Sequence, residues 1–224
     1  MALTACDPVR KLEEDCYDWY ARHGEKCAEA ARGNHDVVMI GDSITHFWED
    51  RNGPEVWKRL FAGRSVLNLG FGWDRTGNVL WRLANGEFAG QSPRAVVVNL
   101  GTNNLNATPN YPGDTPAQTA VGVLAVVDKV RALAPAAAVA VMGVFQRGTN
   151  AEPHRVRIRE LNARLPRVLS CRPGVGFIDI SERFLGPDGD INSSLFVGDN
   201  CHPAAPGYEI WAAAIDPFFR RLGL

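Results

Sequence analysis

The 224-residue sequence predicts an open, doubly wound α/β sheet of five parallel strands. Three observations carry that prediction. Five short runs are apolar almost without alternation, helical stretches separate them, and the first three runs each end in glycine and polar residues. Strands covered by helices on both faces read this way, whereas strands with one wet face alternate. The length suits one domain with a sizeable core.

The strands are expected at "DVVMIG" (36–41), "SVLNLG" (65–70), "AVVVNLG" (95–101), "AAVAVMGVF" (137–145) and "GVGFIDI" (174–180). Helices are expected over 75–87, over 115–134 between Thr115-Pro116 and Pro135, over 153–170 and over 205–221. Ahead of the first strand, Val9, Leu12, Cys16, Trp19, His23 and Cys27 recur at the three- and four-residue intervals of an amphipathic helix. Asp7 and Pro8 would cap and start it. Residues 1–35 therefore read as an N-terminal helical extension and 36–224 as the main domain.

A formal net charge of −1, with Lys and Arg scattered, gives no electrostatic footprint for nucleic acid or an anionic membrane. No apolar run approaches the roughly 20 residues that span a bilayer, and "MALTACDPVRKLEED" lacks a signal-peptide core. The chain as it stands reads as soluble and cytoplasmic, or secreted if a signal peptide had been removed. Five cysteines without C-x-x-C spacing read as reduced. Cys16 and Cys27, on one continuous helix, would sit roughly 16 Å apart, too far for a disulfide. The dispersed histidines offer no zinc spacing, and no cofactor motif is complete: Arg75 stands where a dinucleotide fingerprint needs its third glycine.

Chemistry is expected at the carboxyl ends of the strands, where open α/β sheets bind ligands. The first strand ends in Gly41-Asp42-Ser43, which is not a G-x-S-x-G elbow because Thr45 replaces the second glycine. The second ends in "NLGFGWDRT" (68–76), whose glycines let backbone N–H groups approach a ligand. The third ends in "NLGTNN", where Asn103 and Asn104 offer amide donors. Near the end, "VGDNCHPAAPGYEIW" (197–211) places Asp199 three residues before His202, close enough for the carboxylate to orient the imidazole. Each stretch alone is better read as a turn or a cap, Asp74 included. Their conjunction in order is what points to a serine hydrolase.

These blocks resemble the SGNH hydrolases, the GDSL-type esterase superfamily, over about 37–211. "GFGWDRTGNVLWRLANGEF" and "VVVNLGTNN" are most similar to its platelet-activating-factor acetylhydrolase-like branch. The resemblance implies a flavodoxin-like three-layer α/β/α fold and ester hydrolysis without metal or cofactor. It assigns Ser43 as nucleophile, His202 as base, Asp199 as its orienting acid, and an oxyanion hole from the Ser43 N–H, a backbone N–H of Gly72 or Trp73, and the Asn103 amide. Related sequences carry a glycine where Trp73 stands.

Asp42 is expected to bind neighbouring loop amides and is also a candidate substrate contact. Trp48, Trp73 and Phe145 are expected as aromatic substrate contacts. Arg75 is a candidate for a pocket wall or a partner to a nearby carboxylate, and Asp179 is a competing acid. His46 is the near but wrong base. The expected substrate is a small-molecule or oligosaccharide ester with a small acyl group, foremost an O-acetylated carbohydrate. The alternatives are an acetylated phospholipid, a general short-chain ester, or a non-catalytic binding subunit. The branch also implies a possible homodimer.

Overall fold

The computed structural model describes residues 4–149 and 153–224; the first three residues of the expected extension lie outside it. Five strands, β1 (Val37–Gly41), β2 (Val66–Gly70), β3 (Ala95–Asn99), β4 (Ala138–Met142) and β5 (Val175–Ile178), form one parallel sheet in the order β2-β1-β3-β4-β5. The seven helices described are α1 (Trp19–Arg32), α2 (Ser43–Phe47), α3 (Pro54–Leu60), α4 (Thr76–Ala84), α5 (Pro116–Leu133), α6 (Pro153–Leu169) and α7 (Ala205–Arg221).

The unbroken apolar strands follow from this layering. Val38, Ile40, Leu67, Leu69, Val96 and Val98 face a core shared with Val79 of α4, Val123 and Val127 of α5, and Ile158 and Leu161 of α6. Their neighbours Val37, Met39, Ala95 and Val97 face an aromatic core with Trp48, Trp57, Trp211 and Phe219. Helices thus cover both faces.

The chain steps from β1 outward to β2 and then returns past β1 to β3. That reversal is the topological switch point, and such crevices bind ligands. Gly41 at the end of β1 lies level with Gly70 of β2 and Asn99 of β3. Both glycines are imposed by close approach. A Cβ on Gly41 would stand 1.9 Å from Thr45 Oγ1, and one on Gly70 2.3 Å from the His46 nitrogen. The first turn of α2 is therefore seated directly on the ends of β1 and β2.

The four later helices fall within a few residues of expectation. The sequence reading passes over α2, the π-helical turn Trp48–Asn52 and α3 between the first two strands. The amino-terminal helix is corrected. It begins at Trp19, capped by Asp18, whose carboxylate accepts from the Tyr20 and Ala21 N–H groups. Asp7 instead accepts from Thr4. Residues 9–18 run as a non-helical strap because distant side chains hold their carbonyls: Asn78 Nδ2 donates to Arg10 O at 2.6 Å and Asn110 Nδ2 to Leu12 O at 2.9 Å. Tertiary hydrogen bonds override the periodicity here. No helix among the described residues is long and apolar enough to cross a membrane.

Candidate active site

Ser43 opens α2 immediately after β1. Asp42 caps that helix, its carboxylate accepting from Ile44 N at 3.0 Å and its carbonyl from Thr45 and His46. Asp42 is 1 % exposed, and burial pushes its carboxyl up to about 7. As a substrate contact it is corrected: it is sealed beneath the turn that presents Ser43.

His202 arrives from the far end of the chain, just before α7. Its Nε2 lies 2.8 Å from Ser43 Oγ, and its Nδ1 lies 2.5 Å from Asp199 Oδ2. The Asp199 carboxylate also shapes the loop, since its Oδ1 accepts from the backbone N–H groups of Cys201 (2.9 Å) and His202 (2.8 Å). Burial alone would raise the Asp199 carboxyl, but these hydrogen bonds hold it below the usual range. With Nδ1–H donated to Asp199, the neutral ring presents Nε2 as an acceptor to the Ser43 hydroxyl.

His46 sits three residues from Ser43 yet packs edge-on against Tyr17, ring centroids 4.6 Å apart, with its protonated form suppressed. Burial, reinforced by Arg22 and Arg51, lowers its pKa to about 2. Asp179 lies beyond β5, three strands from β1, and accepts from Ser181 N and Asn162 Nδ2. Among the described residues neither is hydrogen-bonded to Ser43, whose hydroxyl meets His202.

On the other side of Ser43, Asp74 N donates to Phe71 O and closes the 71–74 turn, which carries Gly72 and Trp73. Trp73 has φ +62, the left-handed value that favours glycine at this place in a type II turn. The departure from glycine noted in the sequence is thus held in a glycine conformation. Asn103 Nδ2 donates to Asp74 O at 3.1 Å, so one amide N–H is anchored to the turn and the second is left for the site. Asn104 turns away to Thr76 and Asp114.

The turn rests on buried charge. Asp74 does not cap α4; its carboxylate accepts from Trp19 Nε1 at 2.8 Å and Arg82 Nε at 2.7 Å. Burial pushes the Asp74 carboxyl up, to about 6, against the pull of Arg82 and Trp19. Arg82, fully buried over the Phe71 ring, also pairs with Glu87, which reaches His23. Arg75 finds its carboxylate in Glu13 of the strap, at 3.0 Å, and donates to Asn103 O.

Ser43, His202, Asn103 and Trp73 line one cavity of about 100 Å³. Asp15, Phe47, Asn106, Arg147 and Cys201 complete its wall, and the sequence reading names none of them for the site. Arg147 carried a signal: it follows β4 in a polar run, as the other site residues follow β1 to β3. Trp48 and Phe145 are corrected. Both are buried in the aromatic core, Trp48 stacked on Tyr208 and Trp211 and Phe145 on Phe184, so neither ring reaches the cavity. Trp73 remains at the rim, 39 % exposed. A larger groove of about 380 Å³ lies between α3 and α7, away from Ser43. Among the described residues no group of three His, Cys, Asp or Glu could hold a metal ion.

Residues 39–210 match the GDSL-like lipase/acylhydrolase family. The human platelet-activating factor acetylhydrolase IB subunit alpha1 is 34 % identical over 215 residues, covering 96 % of this chain and 88 % of that protein. The chicken alpha2 subunit is 33 % identical over 174 residues, covering 78 % and 72 %. Among solved structures, a GDSL-like lipase from Bacteroides thetaiotaomicron superimposes with a TM-score of 0.71 at 21 % identity, covering 90 % of this chain and 98 % of that one. A variant of an acetyl-xylooligosaccharide esterase from Geobacillus gives 0.62 at 17 % identity, covering 86 % and 96 %. At such identities the two structures speak to the fold alone.

Proposed function

Since the chain belongs to the GDSL-like lipase/acylhydrolase family and is a carboxylic ester hydrolase, we propose that it removes acetyl-sized acyl groups through a Ser43 acyl-enzyme. The observation that carries this reading is the Ser43–His202–Asp199 relay, with contacts of 2.8 and 2.5 Å. His202 Nε2 takes the Ser43 proton as Oγ attacks the ester carbonyl, and Asp199 stabilises the imidazolium that forms. The tetrahedral oxyanion is held by the Ser43 N–H, a backbone N–H of the 71–74 turn and the Asn103 amide. His202 then protonates the leaving alcohol, and water releases the acid by the reverse path.

The cavity of about 100 Å³ supports a small acyl group, being well under the roughly 300–1,000 Å³ of pockets for larger ligands. For the alcohol part, the exposed Trp73 ring favours an O-acetylated carbohydrate, since an aromatic face suits the apolar face of a sugar. The names of the relatives favour a second reading, an acetylated phospholipid. Rates on 4-nitrophenyl acetate, butyrate and octanoate test the acyl side; a steep fall with chain length is expected, and preference for octanoate contradicts it. Acetylated xylo-oligosaccharides set against a 2-acetyl ether phospholipid decide the alcohol.

A further inference from the structure

The Arg147 guanidinium stands in the wall of the Ser43 cavity, and among the described residues no carboxylate is ion-paired to it, although the buried Asp42 carboxyl lies near enough to feel its charge. Its hydrogen-bond partners are neutral: Asn106 Oδ1 at 2.8 Å, His154 Nε2, and the Cys201 sulfur at 3.8 Å. Burial, together with Arg147 and Arg157, lowers the His154 pKa to about 4, so this partner brings no compensating charge and gains none near neutrality. The Arg147 Nε is buried and has no partner among the described residues. No ion pair to Arg147 occurs among them either, although Arg82, Arg75 and Arg155 each have one. Buried donors are ordinarily satisfied, and a guanidinium is the side chain best shaped to grip a carboxylate or phosphate.

Its place in the site decides which part of a substrate it meets. Arg147 touches Cys201, beside His202, and Gly148 N donates to Asn200 O, tying the two loops together. The acid of the cavity, Asp15, lies against Gly72 of the 71–74 turn. His202 delivers its proton to the leaving alcohol, so the alcohol part lies on the Arg147 side of Ser43. We propose that Arg147 is an anion subsite for the alcohol part of the ester, selecting acetyl esters whose alcohol carries a carboxylate or phosphate near the scissile bond. This rests on the esterase reading above and names its substrate class. Acidic sugars and phospholipid headgroups share that chemistry.

The test compares kcat/KM on phenyl acetate, 3-acetoxybenzoate and cationic 3-acetoxy-N,N,N-trimethylanilinium. The wild type is expected to favour the anionic over the cationic ester. Arg147→Gln should lower kcat/KM on the anionic ester about tenfold more than on phenyl acetate, the size of one lost charge-assisted hydrogen bond. Arg147→Lys, which keeps the charge, should restore part of that difference. Equal losses on the neutral and anionic esters, or wild-type preference for the cation, would overturn the subsite. No wild-type hydrolysis of phenyl acetate would instead overturn the esterase reading beneath it. Soluble acetylated oligogalacturonate and vesicles of 2-acetyl ether phospholipid then distinguish the two sources of the anion. An Arg147-dependent rate is expected on one of them, and Arg147 dependence on neither would also count against the subsite.

Discussion

On one side of Ser43 the 71–74 turn stands on Asp74, Arg82 and Glu87, all three at most 2 % exposed. On the other, His202 and Asp199 keep 26 % and 45 % of their side chains exposed in a loop folded on its own Asp199 carboxylate. The turn proposed for the oxyanion is fixed by buried ion pairs that are part of the core, whereas the loop of the proposed base is fixed locally, by hydrogen bonds that water can reach. Preorganised donors are most effective where they cannot reorganise. A base that must take and return a proton is served by a half-open loop. Disturbing the first side should therefore endanger the fold, and disturbing the second should affect the rate alone.

The largest expected effect breaks the buried side. Arg82→Met leaves Asp74 and Glu87 without their shared partner and should destabilise the protein by about 3–5 kcal/mol, read by urea denaturation. On the exposed side, Asp199→Asn should lower kcat by about 10³- to 10⁴-fold while moving the denaturation midpoint little. Equal loss of stability in both variants would erase the distinction. Asn103→Ala, which removes the proposed oxyanion donor without touching the ion pairs, should lose roughly a hundredfold or more in kcat.

Asp42, which caps α2 beneath Ser43, gives a pH test of the packing under that serine. Its folded pKa, raised by burial from 3.8 to about 7, means that the folded state holds a proton which the unfolded state releases. Stability should therefore be highest below about pH 4 as far as this group is concerned, and fall as pH rises through 7. Asp42→Asn should remove that decline, on the order of 2 kcal/mol, from denaturation curves compared at pH 5 and pH 8.

The smallest effect on stability is expected at Trp73. In Trp73→Gly the relief of a left-handed backbone, about 1–2 kcal/mol, is offset by the loss of side-chain packing and by the greater freedom of unfolded glycine. The acyl preference should change more than the stability, with the butyrate-to-acetate rate ratio rising as the rim opens.

The sheet was legible because its central strands are buried on both faces and so read as unbroken apolar runs, and the five expected runs contain the five observed strands, the half-exposed edge strand β5 included. That Ser43, Asn103, Asp199 and His202 come together was legible because strand ends and a three-residue Asp–His spacing are local features that the topology only has to gather. The strap before Trp19 was not. Val9, Leu12 and Cys16 keep a helical period, but the partners of its carbonyls, Asn78 and Asn110, lie far along the sequence. Trp48 and Phe145 were misplaced for a related reason. A strand end tells where the backbone emerges, not whether a ring there folds back into the core, and both do. Asp15 and Arg147 reach the cavity through the strap and the loop after β4, whose paths no periodicity specifies.

Ser43 as the nucleophile is tested by treating the folded protein with a serine-directed phosphonate and locating the adduct by peptide mass. One equivalent bound at Ser43, with esterase activity lost in proportion and no adduct on Ser43→Ala, is the predicted result. A Ser43→Ala protein that still hydrolyses 4-nitrophenyl acetate at the wild-type rate, or an adduct on a residue other than Ser43, would contradict it.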